Sequence, residues 1–157
     1  MQRVAVQLRQ KQEYNRAEKL LHKAISVKKQ LIGSEVSEDI AYLYNELAVT
    51  YHANEDLENA SKCIRKQLAI WDSLGKSNSM DYAQVLCFLG EIHKDLGEGR
   101  EAIEALKRGV EIHERAQAAE SEDMRPTSMV SIVGGEQMAL ERSQIMKILA
   151  EEQIKYG

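Results

Sequence analysis

Proline occurs once, at Pro126, cysteine twice, at Cys63 and Cys87, and phenylalanine and tryptophan once each among the 157 residues. Each scarcity excludes something. A single proline leaves residues 1–125 without that helix breaker, and an aromatic content of 5% leaves little to build strands from. Two distant cysteines cannot form a disulfide framework, and they read as reduced thiols within helices. No apolar run approaches the roughly 18 residues of a membrane span. The opening Met1-Gln2-Arg3-Val4 lacks the charged and then apolar regions of a secretion signal, so a cytoplasmic, intracellular location is expected. What is abundant is Ala, Leu, Glu, Lys and Gln, a helical composition on a chain long enough for one domain.

Charge is unevenly placed. The net charge is −4, but residues 1–33 carry eight Lys and Arg against Glu13 and Glu18, while the remainder carries a balance of −10. The basic end has no aromatic interleaving and runs into an acidic body, so nucleic acid is not an expected partner. Lys and Arg on the wet side of an amphipathic helix account for it.

The chain repeats itself at 42 residues. Ser37-Glu38-Asp39-Ile40-Ala41 aligns with Ser79-Met80-Asp81-Tyr82-Ala83, which sets Leu47-Ala48 on Leu89-Gly90, Tyr51 on His93, Ala60 on Ala102, Ile64 on Leu106 and Ile70 on Ile112. Upstream, Ala17, Leu21 and Val27 stand where Ala60, Ile64 and Ile70 stand. Such a period marks supersecondary units that cannot bury their apolar faces alone. Within one unit Ser37 caps a helix whose first turn holds Glu38 and Asp39, and Ile40, Tyr44, Leu47, Ala48 and Tyr51 follow helical spacing. Ala53-Asn54-Glu55-Asp56 makes a turn, and a second helix carries Leu57, Ala60, Ile64, Leu68 and Trp71 to a glycine end at Gly75. The next unit runs from Ser79 through Gly97-Glu98-Gly99 to about Ala116. Small residues at Ala48/Gly90 and Ala60/Ala102 permit close helix pairs.

These residues resemble the tetratricopeptide repeat (TPR). The pattern Leu-Ala/Gly, two residues, Tyr/His, then an alanine and Ile/Leu in the second helix is that repeat's signature. The unit exceeds the usual length of roughly 34 residues by about eight, and in this longer form it is similar to the repeats of kinesin light chains. Asp39-Ile40-Ala41, Tyr44-Asn45-Glu46-Leu47-Ala48, Leu57-Glu58-Asn59-Ala60, Leu68-Ala69-Ile70 and Leu74-Gly75 carry the likeness, as do Tyr14-Asn15-Arg16-Ala17-Glu18 and Leu31-Ile32-Gly33. The resemblance implies an all-α, tetratricopeptide-repeat α-solenoid of antiparallel helix pairs. The expected organisation is an array over 1–116 (a partial repeat at 1–33, repeats at 37–75 and 79–116), a connection at 117–135 and an amphipathic capping helix at 136–157. Met1 aligns with Tyr44, so the first unit opens inside its first helix, as in a segment of a longer array or one with a shortened opening helix. Cys87 replaces the family's asparagine, and Gly99 stands where an aromatic or leucine is usual.

Residues 117–157 leave the register. Ala118 to Pro126 reads as a helix end and polar connection, and Met138, Ile145, Ile148, Leu149 and Tyr156 then form a stripe. That helix can cap the array, form a degenerate fourth unit broken at Gly134-Gly135, or dock on a partner.

No constellation for catalysis, metal or cofactor is visible. His22, His52, His93 and His113 lack paired-histidine spacing, neither cysteine has a Cys-x-x-Cys partner, and Gly97-Glu98-Gly99 is too short for a phosphate loop. The expectation is a non-enzyme without cofactor. The resemblance places partner contacts on outward positions of the first helices: Gln2, Val6 and Arg9; Tyr42, Asn45, Val49 and His52; Gln84, Cys87, Glu91 and Lys94. An amide such as that of Asn45 can donate to and accept from a peptide backbone, or bond within its own helix or to water. Tyr42 offers a rigid anchor. The expected partner is a protein or peptide with apolar anchors and some acidic character, paired at the rim by Arg9 and Lys94. Gln2, Val6, Glu46, Gln84 and Phe88 occupy the positions of a carboxylate clamp, so chaperone C-terminal tails are not expected partners. Two alternatives to a groove-binding adaptor are a structural subunit held through its convex face and ends, and a regulatory domain docked on an enzyme's terminal helix.

Overall fold

The structure, a computed structural model, describes residues 2–123, with side chains over 3–119. Six helices fill that span: α1 (Gln2–Gln10), α2 (Tyr14–Ile32), α3 (Glu38–Ala53), α4 (Leu57–Ser73), α5 (Met80–Asp95) and α6 (Gly99–Asp123). No strand occurs among the described residues. The chain divides into two compact units between Ser77 and Asn78.

In the first unit α1 packs on α2, α2 on α3, α3 on α4, and α1 also touches α3. Chain chemistry starts and stops these helices. Ser37 Oγ accepts from the Ile40 amide at 3.2 Å, and the Asp56 carboxylate accepts from the Asn59 amide at 3.2 Å, each satisfying a donor that the first turn leaves free. Gly33 ends α2 in the left-handed region, φ 68°, where its N–H bonds the Lys29 carbonyl. The core is formed by Leu21 of α2, Ile40 and Leu47 of α3 and Ile64 of α4, all without solvent exposure. Burying one such side chain stabilises by about 1.5–3 kcal/mol. The α1 helix is the weak member: at nine residues it is too short to persist alone, and among its described side chains only Ala5 is buried.

In the second unit α5 and α6 form one closely packed antiparallel pair. Ser79 Oγ caps α5 through the Tyr82 amide at 3.2 Å. Tyr82, Leu86 and Ile92 of α5 bury against Ala102, Leu106 and Ile112 of α6. The approach is tight because glycine stands at both crossing points. A Cβ on Gly90 would lie 2.5 Å from Leu106 Cγ, and one on Gly109 would lie 2.9 Å from Cys87 Sγ and 3.1 Å from the Ala83 carbonyl oxygen.

One boundary differs from the sequence expectation. The connection expected from residue 117 is helical up to Asp123, because α6 runs on for seven residues past Ala116. Gln117-Ala118-Ala119 are strong helix formers and no glycine intervenes, so nothing local stops the helix there. The remainder of the expected connection and the capping helix at 136–157 lie outside the described residues.

Candidate partner-binding surface

The expected site residues fall on three helices. Gln2, Val6 and Arg9 lie on α1 at spacings of four and three. Tyr42, Asn45, Val49 and His52 lie on α3 at spacings of three, four and three, and Gln84, Cys87, Glu91 and Lys94 repeat that spacing on α5. Each set therefore shares one side of its helix. The α1 and α3 sets belong to the first unit, where the two helices touch; the α5 set belongs to the second.

On α3, Tyr42 is the outstanding feature, 41% exposed although apolar and large. Its ring meets Trp71 of α4 edge to face, with centroids 5.8 Å apart and planes at 82°. Trp71 is itself 2% exposed, so the exposed ring rests on a fixed one, a geometry worth about 0.5–1.5 kcal/mol beyond burial. Asn45, Val49 and His52 follow as half-buried residues. The Trp71 support was not legible from the residues alone, because the two rings are 29 positions apart and in different helices.

Arg9 differs from its expected role as a free rim cation. Its guanidinium donates to the Glu46 carboxylate at 3.1 Å and to the Glu46 carbonyl at 3.4 Å, joining α1 to α3. The pair is about three-quarters covered, and its contribution is on the order of 1 kcal/mol. Arg9 thus fastens the short α1, and the Glu46 charge that would repel a carboxylate is already balanced.

In the second unit Gln84, Glu91 and Lys94 are exposed and Cys87 is half-buried. Cys87 turns its sulfur toward Gly109 of α6, so it contributes to helix packing where the family's asparagine would face a ligand. His93, 4% exposed, takes the place of Tyr51 and holds Glu98 through Nδ1 at 2.5 Å. It closes the turn between α5 and α6, in keeping with a packing role.

A second polar group joins α2 to α3. The Tyr51 hydroxyl donates to Glu18 at 2.9 Å and lies 3.1 Å from His22 Nε2. Burial first, and then the bond to Glu18, raise the Tyr51 hydroxyl above its ordinary pKa. Burial likewise pushes the Cys63 thiol up to about 11, which leaves it protonated and inert near neutrality. No group of three or more His, Cys, Asp or Glu residues able to hold a metal occurs among the described residues.

Helix pairs at a 42-residue period, capped by Ser37 and Ser79, coincide with known repeats. Tetratricopeptide-repeat profiles match residues 1–37 and 39–115, together well over half of the chain. The chain belongs to the tetratricopeptide-repeat family. Among solved structures it is similar to BtubC (BKLC) from P. vanneervenii, with 27% identity and a TM-score of 0.67 over 82% of this chain and 49% of that one. It is also similar in fold to a Podosopora anserina protein with nearly identical TPR-like repeats. One structure of that protein gives 21% identity and a TM-score of 0.63 over 71% of this chain and 52% of that one. Another gives 15% identity and a TM-score of 0.62 over 99% and 94%. The TPR chain spans about half the length of the first two. A search of curated proteins found no match.

Proposed function

We propose that this TPR chain is a non-catalytic adaptor that receives a segment of a partner protein along the outward stripe of its first helices. TPR membership supports protein interaction in general. The observation that carries the finer reading is Tyr42: a large ring left exposed and braced by Trp71, in line with the half-buried Asn45 and Val49. A rigid aromatic loses little entropy on binding and supplies an anchor surface. Asn45 can then satisfy one peptide group of an extended or helical partner. Because Arg9 is held by Glu46, acidic character in the partner contributes less than apolar anchoring.

The test is calorimetry of the native partner, found by pull-down and cross-linking mass spectrometry, against Tyr42→Ala and Asn45→Ala. Each substitution should weaken binding by about 1–3 kcal/mol while helicity stays nearly intact. Unchanged affinity in both variants would remove the stripe from consideration.

One observation favours the structural-subunit alternative. Leu31 at 78% exposure, with Ile32 at 42% and Val36 at 40%, leaves apolar surface exposed at and just beyond the end of α2. A fixed neighbour would cover such surface over a large area, and Leu31→Ser would then disrupt assembly where Tyr42→Ala would not.

A further inference from the structure

Aligning α2 with α4 through their buried residues, Ala17 on Ala60 and Leu21 on Ile64, brings three exposed positions into correspondence. Lys19, His22 and Lys23 of α2 match Lys62, Arg65 and Lys66 of α4, and all six are exposed. Spacings of three and four put each triad on one side of its helix. The two helices flank α3 in one unit, both presenting to solvent the side opposite their buried residues.

We propose that this basic face is a second docking surface, distinct from the stripe on α1 and α3, and that it takes an acidic segment of a partner polypeptide. The charge is poorly compensated. Lys19, Lys23 and Arg65 make no ion pair among the described residues. Lys62 reaches only the Asn59 amide oxygen at 3.4 Å, and Lys66 lies over the Tyr44 ring, 5.4 Å from its centroid, its acidic neighbour Glu35 being already paired with Lys29. No acidic residue is exposed on α2; its one carboxylate, Glu18, accepts from Tyr51 and lies 3.9 Å from His22 Nε2, so the free charge of that triad rests on Lys19 and Lys23. On α4 the exposed acids, Glu58 and Asp72, sit near the helix ends and leave the middle turns basic. Elsewhere basic residues do pair: Lys28 with Asp39 at 2.7 Å and Lys29 with Glu35 at 2.8 Å. Cations left together where the chain has acids to spare form a field that an acidic partner can neutralise.

Geometry narrows the class of that partner. Lysines one helical turn apart stand about 6 Å apart along the axis, close to the spacing of alternate residues in an extended chain, about 6.7 Å. Carboxylates at every second position of an extended segment therefore meet Lys19 and Lys23, or Lys62 and Lys66, in register. Nucleic acid fits less well. No aromatic side chain is exposed on α2 or α4 to stack a base, and Tyr44 and Tyr51 are buried beneath the charges.

The test uses fluorescence anisotropy with a labelled peptide of about twelve residues alternating Glu and Gly, beside a Gln–Gly control, at low and physiological salt. Binding of the Glu peptide alone, weakening by about tenfold as salt rises, is expected. Combined Lys19→Glu, Lys23→Glu, Lys62→Glu and Lys66→Glu should abolish it, and the four arginine substitutions should retain it. Circular dichroism checks that each variant folds, and Lys19→Gln with Lys23→Gln provides a milder pair expected to weaken binding by severalfold. Undiminished binding in either folded variant overturns the proposal, as does equal affinity for the Gln control. A single-stranded oligonucleotide bound more tightly than the peptide overturns it in favour of nucleic acid. Self-association that disappears with the same charge reversal, read by sedimentation, overturns it in favour of a second copy of the chain.

Discussion

Gln12, Glu55 and Gly97 occupy one position in three turns, and all have positive φ: 61°, 61° and 79°. Only the third uses the residue that adopts this region without steric cost. Glu55→Gly should therefore stabilise the first unit by about 0.5–1 kcal/mol, net of the larger entropy that glycine gives the unfolded chain. Urea unfolding is the measurement, and an unchanged or lower midpoint would show the turn to be unstrained. Cys63 gives a second outcome at this scale. Its folded pKa of about 11 stands above the ordinary thiol value of 9.0 because burial disfavours the thiolate. Above that ordinary value the unfolded chain loses the proton first, so unfolding draws ahead and stability falls as pH rises from about 9 to about 11. Below that window the stabilisation is fully present. Urea midpoints across the range should decline less steeply in Cys63→Ala than in the native chain, whatever the variant's stability at neutral pH.

Among the elements, the α5–α6 pair depends on two missing side chains. Alanine at Gly90 or Gly109 gains up to about 1 kcal/mol in helix propensity, but overpacking costs about 1–3 kcal/mol. The collision should prevail at Gly90, because Leu106 is fully buried and its branch point, not a flexible tip, is what the new methyl meets. At Gly109 the nearest atom is a sulfur, so Gly109→Ala should destabilise the native chain and be partly relieved by Cys87→Ala. Thermal melts of the single and double variants decide it; equal losses with and without the sulfur would place the strain on the Ala83 carbonyl. Much of this element level was legible in the sequence. Ser37, Ser79, Asp56 and Gly33 act locally, within three or four residues, and the repeat exposed the small residues at Gly90 and Ala102. Contacts particular to one repeat were not legible. Arg9–Glu46, Tyr42–Trp71 and Cys87–Gly109 join positions 22 to 37 apart, and no equivalent pair of the same residue types recurs 42 residues on to announce them. Of the candidate site, the placing of each expected set on one side of its helix followed from the repeat register, whereas the Trp71 contact and the engagement of Arg9 required the fold.

For the whole molecule, each unit holds its own buried centre: Leu21, Leu47 and Ile64 in the first, Tyr82, Ile92 and Leu106 in the second. Stability is nonetheless uneven within the first unit. The nine-residue α1 buries a single alanine among its described side chains and relies on α2, α3 and the Arg9–Glu46 pair, while the last turn of α2 leaves Leu31 and Ile32 in solvent. Helices with little buried surface open at free energies well below the global value. Hydrogen exchange read by mass spectrometry should therefore find α1 and the end of α2 exchanging fastest among the described helices. The middle turns of α3 and α4 in the first unit, and of α5 and α6 in the second, should be the slowest. Removing the tether sharpens the test. Arg9→Ala deletes about 1 kcal/mol of α1 attachment, so exchange in α1 should accelerate by about fivefold, with α5 and α6 unaffected. Acceleration spread evenly over both units would mean that Arg9 supports global stability, and α1 would then have to be treated as part of the core rather than as a helix latched onto it.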